Sequence, residues 1–347
     1  MNTSPSSASS SSSALPRIAV LATGGTIAGS AADAASTAGY QAGVVGVERL
    51  LAAVPALSSV AQIDAEQVAS IDSKDMSLTL WTTLAQRVDA LLASDDVDGI
   101  VITHGTDTLE ETAYMLHLTV NSAKPVVLTA AMRPSSALSA DGPLNLLNAV
   151  TVAASRAAHG QGVLVAFNNR IHSARDVVKT STFAVDTFQS PEVGALGWVQ
   201  DGRVEFLRGV VRPHTLATGF VIGQVAQPHG WPAVEIVASY AGATRVLVDA
   251  LVQARMRGIV VAGTGNGSIH ASLQQALVDA VAQGIAVVRA SRVGSGHVMR
   301  NGAACDDALG FVSANGLNPY KARVLLMLAL AAGHTGAAAL QTIFDTL

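Results

Sequence analysis

Short apolar runs alternate with longer amphipathic segments along most of the chain. The first run, residues 18–22, and a later run, residues 99–102, each lead into a loop rich in glycine and threonine. Runs of this length bounded by glycine are typical of strands that are buried on both faces. The pattern predicts further strands at residues 68–71, 125–128, 162–167, 233–238, 258–262 and 285–289.

The segments between these runs carry helical periodicity. Ser77 can cap one such helix, whose face holds apolar residues at spacings of four, four and three: Leu80, Leu84, Val88 and Leu91. Near the carboxyl terminus, Asn318 and Pro319 mark the start of a helix and Gly333 its end. Other helices are predicted at residues 47–54, 109–120, 141–159, 244–256 and 271–282. Strands that alternate with helices predict an α/β fold.

The alternation lapses between residues 168 and 230, where we expect loops and short extended segments. Residues 210–232 contain several prolines and glycines and are interpreted as a linker. We therefore predict a larger N-terminal α/β catalytic domain at residues 15–209, with a mostly parallel sheet flanked by helices. A smaller C-terminal α/β domain is predicted at residues 233–347. The serine-rich residues 1–14 are expected to form a disordered tail.

Composition limits the classes of function. The length of 347 residues fits two domains, and half of the residues are hydrophobic, which is enough for large cores. A formal net charge of −4 and a pI near 6.1 offer no broad basic face, so we expect no nucleic-acid partner. The single cysteine, Cys305, excludes a disulfide within the chain and is expected to be a structural thiol.

No segment indicates a membrane or an export route. The longest strongly apolar run, residues 324–332, is far shorter than the ~20 residues that span a bilayer. The first basic residue is Arg17, and no apolar run follows the initiator methionine as in a secretory signal. We therefore expect a cytoplasmic protein, or a periplasmic one if the true start site lies elsewhere.

Two strand-to-loop junctions carry hydroxyl groups. Thr23 and Thr26 follow the first strand around the Gly24-Gly25 turn, and Thr103, Thr106 and Thr108 follow the strand at residues 99–102. The carboxyl ends of parallel strands open at one edge of a sheet, so both junctions can face one pocket. A simple glycine turn between strand and helix is the alternative for the first junction.

A threonine hydroxyl becomes a nucleophile only when a base takes its proton and another group orients that base. Lys179 is a candidate base if burial lowers its pKa. Asp107 is a candidate to orient Lys179 or a substrate ammonium. His104 is expected to be a satisfied core histidine.

Cofactor and metal motifs are weak or missing from the sequence. The loop at residues 263–268 is rich in glycine but lacks the GxGxxG spacing of a dinucleotide site. The sequence has no HExxH motif, no cysteine pair and no helix-spaced His/Glu set. We therefore predict an activity without cofactor or metal.

Two long motifs, residues 22–28 (ATGGTIA) and residues 98–108 (DGIVITHGTDT), resemble the paired signature of the bacterial L-asparaginases and glutaminase-asparaginases. The likeness covers essentially all of the chain from Leu15 onward and is greatest to the high-affinity, normally exported branch. It continues through residues 131–134, 139–143, 175–180, 265–267 and 317–326.

The resemblance implies an amidohydrolase that converts L-asparagine, with L-glutamine as a further candidate substrate, to the acid and ammonia. Thr26 would be the nucleophile that forms an acyl-enzyme, with Tyr40 beside it on a flexible loop. Thr106, Asp107 and Lys179 would form a second constellation, in which Thr106 orients water or polarises the carbonyl.

The same resemblance implies a substrate-binding set. Ser73 would hold the α-carboxylate and Asp107 the α-amino group, and Gly25 and Asp72 complete the set within the chain. The family assembles as a homotetramer of intimate dimers, in which the C-terminal domain of one subunit closes the site of its neighbour. Asn266 matches a residue that reaches across in this way.

The sequence departs from the family pattern at two binding positions. Lys74 replaces the usual Gln or Glu beside Ser73, and Ala303 stands where a neighbour's glutamate would reach the substrate ammonium. An inward Lys74 would oppose that ammonium, whereas a lysine turned to solvent would not. We expect a raised KM for asparagine from this departure.

Other functions share parts of the pattern. Within the enzymes, the alternatives are a low-affinity cytoplasmic asparaginase and the asparaginase-like subunit of a tRNA-dependent amidotransferase. From another class, a non-catalytic amino-acid or nucleotide sensor could use the same glycine loops. Release of ammonia from asparagine separates enzyme from sensor.

Overall fold

The computed structural model describes residues 14–35, 39–225 and 230–347. Its described residues form two α/β units, each built on its own sheet. The predicted fold class is therefore confirmed. Residues 1–13 of the predicted tail and residues 226–229 of the predicted linker lie outside the described residues.

The N-terminal unit contains most of the strands. Their bounds are β1 (Arg17–Gly24), β2 (Gln62–Ile71), β3 (Gly99–Thr103), β4 (Val126–Thr129), β5 (Val163–Phe167), β6 (Arg170–Ser173), β7 (Val178–Lys179), β8 (Phe188–Gln189), β9 (Gly197–Gln200) and β10 (Arg203–Phe206). Within the described residues, eight of them form one sheet in the order β10-β9-β6-β5-β4-β3-β1-β2, while β7 and β8 pair as a separate ribbon. Strands β1 to β5 run parallel, and β6, β9 and β10 extend the sheet in antiparallel pairs.

The C-terminal unit has a smaller, fully parallel sheet. Its strands, in spatial order, are β11 (Val234–Ala238), β12 (Gly258–Gly263), β13 (Ala286–Ser291) and β14 (Phe311–Ser313).

The helices of both units are, within the described residues, α1 (Val47–Ala52), α2 (Leu78–Leu92), α3 (Leu109–Thr119), α4 (Gly142–Ala153), α5 (Ile222–Val225), α6 (Val246–Gln253), α7 (Ala271–Ala282), α8 (Asp306–Leu309), α9 (Pro319–Ala331) and α10 (Ala337–Thr346).

Helix α9 joins the two units. Its side chains at residues 324–328 are buried in one continuous apolar core, which also contains residues of α2, α3 and the C-terminal strands. The opposite face of the large sheet packs against α1 and α4 in a second core. Burial of apolar area on both faces of α9 therefore stabilises the docking of the units as well as each sheet.

The predicted caps are confirmed. The Ser77 side chain accepts a hydrogen bond from the backbone N–H of Leu80, and Asn318 accepts one from Lys321 at the start of α9. Gly333 follows α9 with φ of 84°, in the left-handed region where glycine is favoured. The buried face of α2 is centred on Trp81, Leu84 and Val88, whereas Leu80 and Leu91 flank it half-buried.

Several sequence predictions need correction. The strand predicted at residues 68–71 is only the end of β2, whose polar, half-exposed start lies at the sheet edge and gives no apolar run. The helix predicted to reach residue 159 ends at Ala153 and is followed by a short 3-10 helix, Arg156–Ala158. Helices α8 and α10 and strand β14, which are short or close to the carboxyl terminus, were not predicted from the sequence.

The alternation of strands and helices was expected to lapse from residue 168 into loops and short extended segments, and the short strands β6, β9 and β10 agree with that expectation. Asn168 and Asn169 adopt φ of 46° and 63° in the tight turn between β5 and β6. Asp201 and Gly202, with φ of 50° and 76°, form the turn between β9 and β10. Asp-Gly is a strong signal for a two-residue hairpin, but strands of four residues carry too little periodicity to be recognised.

Candidate active site

The site lies where the order of the large sheet reverses. From β1 the chain proceeds to β2 on one side, while β3 pairs with β1 on the other, with Ala22 opposite Thr103. Loops at the carboxyl ends of two such strands diverge and leave a crevice for a ligand. The two threonine-rich junctions of the sequence therefore lie side by side.

Glycines allow these two loops to touch. Gly24 and Gly25 have φ of 107° and 79°, which L side chains rarely adopt. A Cβ added at Gly25 would lie 2.3 Å from the Cα of Gly105. The N–H of Gly25 donates to the carbonyl of Ile71 at 2.8 Å. Gly25 was predicted to bind substrate, and its contacts in this chain bring the two loops and the end of β2 together.

Thr26 follows this turn on a short 3-10 helix, Thr26–Ala28, and is 5% exposed. Its Oγ1 atom lies 2.6 Å from the hydroxyl oxygen of Tyr40. The backbones of Ser30 and Gln41 exchange two hydrogen bonds, which return the chain to the site after the intervening loop. The structure thus places Tyr40 next to Thr26.

The second junction forms a compact polar group with Lys179. The Nζ atom of Lys179 donates to Oγ1 of Thr106 at 2.9 Å and to Oδ1 of Asp107 at 2.6 Å. Thr106 is 5% exposed, whereas the side chain of Asp107 is 52% exposed and leaves one side of its carboxyl accessible. An accessible carboxylate beside a lysine can orient that lysine and accept a ligand ammonium at once.

Ser73 connects the end of β2 to this group. Its Oγ atom accepts the backbone N–H of Asp107 at 3.2 Å, and its carbonyl accepts the Thr108 hydroxyl at 2.8 Å. Asp72 caps the short 3-10 helix of Ser73 by accepting the N–H of Lys74. Both predicted binding residues thus stand at the edge of the second loop, Ser73 buried and Asp72 half-exposed.

A cavity of about 350 Å³ opens beside these groups, and its volume suits a small polar ligand. Its walls are formed by Tyr40, Thr106, Asp107, Met132, Arg133, Lys179, Thr182 and Phe183. Thr182 and Phe183 were not singled out in the sequence, and no motif or periodicity marks them.

Lys74 turns away from the cavity. Its Nζ atom pairs with Asp75 and lies 4.0 Å from Asp72, and its side chain is 60% exposed. The hydrogen bond to Asp75 raises the pKa of Lys74, and the charges of Asp75, Asp72 and Asp107 add to this effect. The structure therefore adopts the solvent-facing alternative of the two orientations considered above.

His104 is a core residue, as its sequence context suggested, but only partly satisfied. It is fully buried, and its Nδ1 atom contacts the Gly105 carbonyl oxygen at 2.7 Å. Its Nε2 atom has no hydrogen-bond partner among the described residues. Burial lowers the pKa of His104 to about 4. The imidazole therefore stays neutral at physiological pH and adds no charge below the second loop.

Asn266 is not brought to Thr26 within one chain. It lines a separate cavity of about 510 Å³, together with Glu192 and residues 293–298. Its amide is fixed by the carbonyl of His297 at 2.8 Å and the N–H of Met299 at 3.0 Å. Ala303 is exposed, and its neighbour Gly302 lies close to the side-chain oxygen of Asn266.

One buried residue at this site was missed in the sequence. Glu110 accepts the backbone N–H of Lys179 at 2.7 Å and the side-chain amide of Asn318 at 2.6 Å. It lies in the first turn of α3, and Asp107 precedes that helix by two residues. Its place in the sequence next to the second threonine junction was the signal available.

Neither a metal site nor a membrane-spanning helix is found among the described residues. Within residues 14–35, 39–225 and 230–347, no group of three or more His, Cys, Asp and Glu side chains is arranged to hold a metal ion. Among the same residues, no helix has the length and apolar character needed to cross a bilayer.

Cys305 is exposed, whereas a structural thiol was expected to be buried.

Comparison with protein families decides the relationship. A model described as "Asparaginase, N-terminal" matches residues 17–212, and one described as "Glutaminase/Asparaginase C-terminal domain" matches residues 233–344. This chain belongs to the asparaginase family. The predicted resemblance is thus confirmed.

Comparison with individual proteins supports membership in the same family. The chain is 49% identical to an L-asparaginase 2 of Bacillus subtilis over 316 residues, which is 91% of this chain and 83% of that protein. It is 48% identical to a probable periplasmic L-asparaginase of Haemophilus influenzae over 316 residues, with shares of 91% and 89%. A crystal structure of a probable cytoplasmic L-asparaginase from Campylobacter jejuni superposes with a TM-score of 0.92 at 46% identity, covering 96% of this chain and 100% of that one.

The relatives differ in the compartment that their names state, since one is called periplasmic and another cytoplasmic. Membership in the family therefore does not assign a compartment. The cytoplasmic location stays a prediction.

Proposed function

We propose that this protein hydrolyses the side-chain amide of L-asparagine to L-aspartate and ammonia, with L-glutamine as a second substrate. The observation that carries the proposal is the paired arrangement of hydroxyls at the switch point. Thr26 is hydrogen-bonded to Tyr40, and Tyr40 shares a cavity with Thr106, Asp107 and Lys179. The names of the asparaginase relatives and the glutaminase/asparaginase family model support the substrate class.

In this proposal Thr26 is the nucleophile. Its Oγ1 atom attacks the amide carbon while its proton passes to the hydroxyl oxygen of Tyr40, which lies within hydrogen-bond distance and passes its own hydroxyl proton on to the amide nitrogen. The C–N bond then breaks, and ammonia leaves an acyl-enzyme ester on Thr26. Water attacks that ester, the ester C–O bond breaks, and Thr26 recovers its proton as the carboxylate product departs.

The group formed by Thr106, Asp107 and Lys179 is proposed to polarise and orient the substrate or the attacking water. Because Lys179 donates to both Thr106 and Asp107, the Thr106 hydroxyl has its acceptor side occupied and can donate to the substrate or to water. A hydroxyl preoriented in this way needs no reorganisation during the reaction. Loss of either contact would leave Thr106 free to rotate.

Substrate selection uses groups at the end of β2 and the start of α3. Ser73 is proposed to hold the α-carboxylate, and the exposed side of the Asp107 carboxyl to hold the α-amino group. Gly25 and Asp72 are proposed to complete the binding set, since Gly25 brings the two loops into contact and Asp72 caps the 3-10 helix of Ser73. The outward direction of Lys74 leaves Asp107 without a competing inward cation from that position.

A neighbouring subunit is proposed to complete the site. Asn266 and Ala303 lie on a face of the C-terminal unit that does not line the Tyr40–Thr106 cavity of the same chain. A homotetramer built from intimate dimers would bring this face to the partner's cavity. A symmetric pair of chains would then contain two equivalent shared sites.

The direct experiment is a coupled assay of ammonia release from L-asparagine and from L-glutamine, with Thr26→Ala as the matched protein. We expect release from both amides by the parent and none above background from the variant. A sensor would instead bind asparagine in calorimetry without releasing ammonia, and this result would contradict the proposal. The relatives, which carry enzyme names, lend no support to the sensor.

A further inference from the structure

The second threonine junction and the helix that follows it hold Lys179 at three points. Thr106 and Asp107 contact its side-chain nitrogen, as described above, and Glu110 in the first turn of α3 accepts its backbone N–H. The side chain is thus fixed at its tip and at its base. A lysine stem has four rotatable bonds, so a fixed tip alone leaves the backbone free to shift and alter the direction of the N–H bonds.

Glu110 also reaches the C-terminal unit. It is 6% exposed, and its two carboxylate oxygens have different partners, Lys179 for Oε2 and Asn318 for Oε1. Asn318 is itself fixed, because its Oδ1 atom accepts the N–H of Lys321 and caps α9. A continuous path of hydrogen bonds therefore runs from the first turn of α9 to the backbone of Lys179.

A second contact from α9 supports the same segment. Lys321 is almost fully buried and its Nζ atom donates to the carbonyls of Arg175 and Val177, at 2.8 Å and 2.5 Å. These carbonyls precede Lys179 by four and two residues. The strand that carries Lys179 is only two residues long, so its own ladder gives little rigidity. External contacts must therefore define its position.

We propose that Glu110 is a positioning residue for the reaction, which makes the placement of Lys179 depend on the docking of the C-terminal unit through Asn318. This inference rests on the proposed function of the same site. Glu110 does not touch the cavity that holds Tyr40 and Thr106, and it acts through Lys179. The physical basis is geometric, since a displacement of about 1 Å at a catalytic group can reduce turnover about a hundredfold.

Glu110→Gln is the sharpest variant, because it keeps the size of the side chain. An amide offers one acceptor oxygen, so its NH₂ group would face either the Lys179 N–H or the Asn318 amide, donor against donor. Asn318→Ser provides an independent test, since serine remains a good N-cap but is too short to reach Glu110. Glu111→Gln is the matched control, a neighbouring half-buried carboxyl whose removal leaves both Glu110 bonds in place.

Two measurements are made on the full-length protein. Ammonia release gives kcat and KM for asparagine, and hydrogen–deuterium exchange with mass spectrometry gives the protection of the peptide that contains Lys179. For Glu110→Gln and Asn318→Ser we expect kcat to fall by about tenfold to a hundredfold, with KM within about twofold. Faster exchange should be confined to the Lys179 peptide and its contacts, and Glu111→Gln should match the parent in both measurements.

Each contrary result overturns the inference. Parent-like kcat in both variants, or an unchanged exchange rate at the Lys179 peptide, would show that Glu110 does not position this lysine. A fall in kcat accompanied by an equal rise in KM would indicate loss of substrate binding instead. If the parent releases no ammonia, the proposed function fails, whereas the exchange measurement still decides whether Glu110 and Asn318 hold Lys179.

Discussion

The hydroxyl oxygen of Tyr40 lies 2.6 Å from Oγ1 of Thr26, although 14 residues separate them along the chain. Both atoms lie at the point where the large sheet reverses its strand order. A hydrogen bond of this length between two hydroxyls is well within the range for O–H···O contacts. The pair gives the proposed nucleophile a neighbouring hydroxyl that can relay its proton with no rearrangement before reaction.

Replacement of Thr26 should abolish turnover and preserve the fold. We expect Thr26→Ala to lower kcat by on the order of a thousandfold or more, since the acyl-enzyme cannot form. The hydroxyl is buried rather than exposed as a simple loop would suggest, but its loss removes one hydrogen bond worth about 1 kcal/mol. The thermal midpoint should therefore fall by only a few degrees, as measured by calorimetry. Near-normal kcat in this variant would contradict the assignment of Thr26 as the nucleophile.

Lys74 should have little influence on substrate affinity. Since its ammonium pairs with Asp75 outside the cavity, Lys74→Gln should leave the KM for asparagine within about twofold of the parent value. Steady-state kinetics at constant ionic strength measures this. A tenfold fall in KM, equivalent to about 1.4 kcal/mol, would show that the lysine turns inward when substrate binds. This expectation replaces the raised KM anticipated from the sequence.

Buried histidines should make the fold sensitive to mild acid. Burial lowers the pKa values of His104, His117 and His172 to about 4, about 3 and about 4. Unfolded histidines titrate near pH 6.5, so below that pH the unfolded chain binds protons that the native state excludes. The contribution of these histidines to the free energy of unfolding should therefore be complete above about pH 6.5. It should fall towards pH 5, by about 1.4 kcal/mol per pH unit for each histidine.

Urea unfolding at several pH values measures this slope. His172→Gln should reduce it by the share of one histidine, while His334→Gln, at an exposed position, serves as the control with a parent-like slope. Equal slopes in the parent and in His172→Gln would contradict the account. Burial raises the pKa of Glu111 to about 7, so this carboxyl contributes a slope of opposite sign in the same window, and the difference between the parent and His172→Gln isolates the histidine share.

The pair Arg289–Asp306 should be essential for the C-terminal unit. Both side chains are 0% exposed, and the guanidinium also donates to the carbonyls of Asn266 and Met299 at 2.8 Å. Asp306→Ala leaves a buried charge unpaired and should lower the free energy of unfolding by about 3–5 kcal/mol. Asp307→Ala removes a neighbouring carboxylate that is 52% exposed, and it should unfold close to the parent midpoint. Similar midpoints for the two variants would contradict this role.

Shared sites should allow inactive chains to complement each other. Chains with Thr26→Ala retain a normal C-terminal unit, and chains with Asn266→Ala retain a normal nucleophile. If two chains form each site, a symmetric dimer with one chain of each kind has one intact site of its two, so co-expression with separate affinity tags should restore about half of the sites in the doubly purified complex. Ammonia release by the doubly purified complex measures this. Activity no higher than the mean of the two variants, or full activity of a monomer in light scattering, would rule out a shared site.

The sequence by itself determined the α/β class, the buried parallel strands and the two threonine loops. These features follow from local signals, because apolar runs report burial on both faces of a strand and glycine marks sharp turns. The sequence also indicated the family, since the motifs at residues 22–28 and 98–108 are long and specific. The short antiparallel strands and most of the polar edge strand β2 were not predicted, because neither shows a clear periodicity of hydrophobic residues.

Only the tertiary structure decided which side chains meet. The bond from Glu110 to the backbone of Lys179 spans 69 positions, and the bond from Asn318 to Glu110 spans 208. Lys74 could face inward or outward by its sequence position, and its choice depends on Asp75 and on the direction of a short 3-10 helix. Such contacts depend on how distant elements pack, because a hydrogen bond requires an alignment within fractions of an ångström that no local pattern encodes.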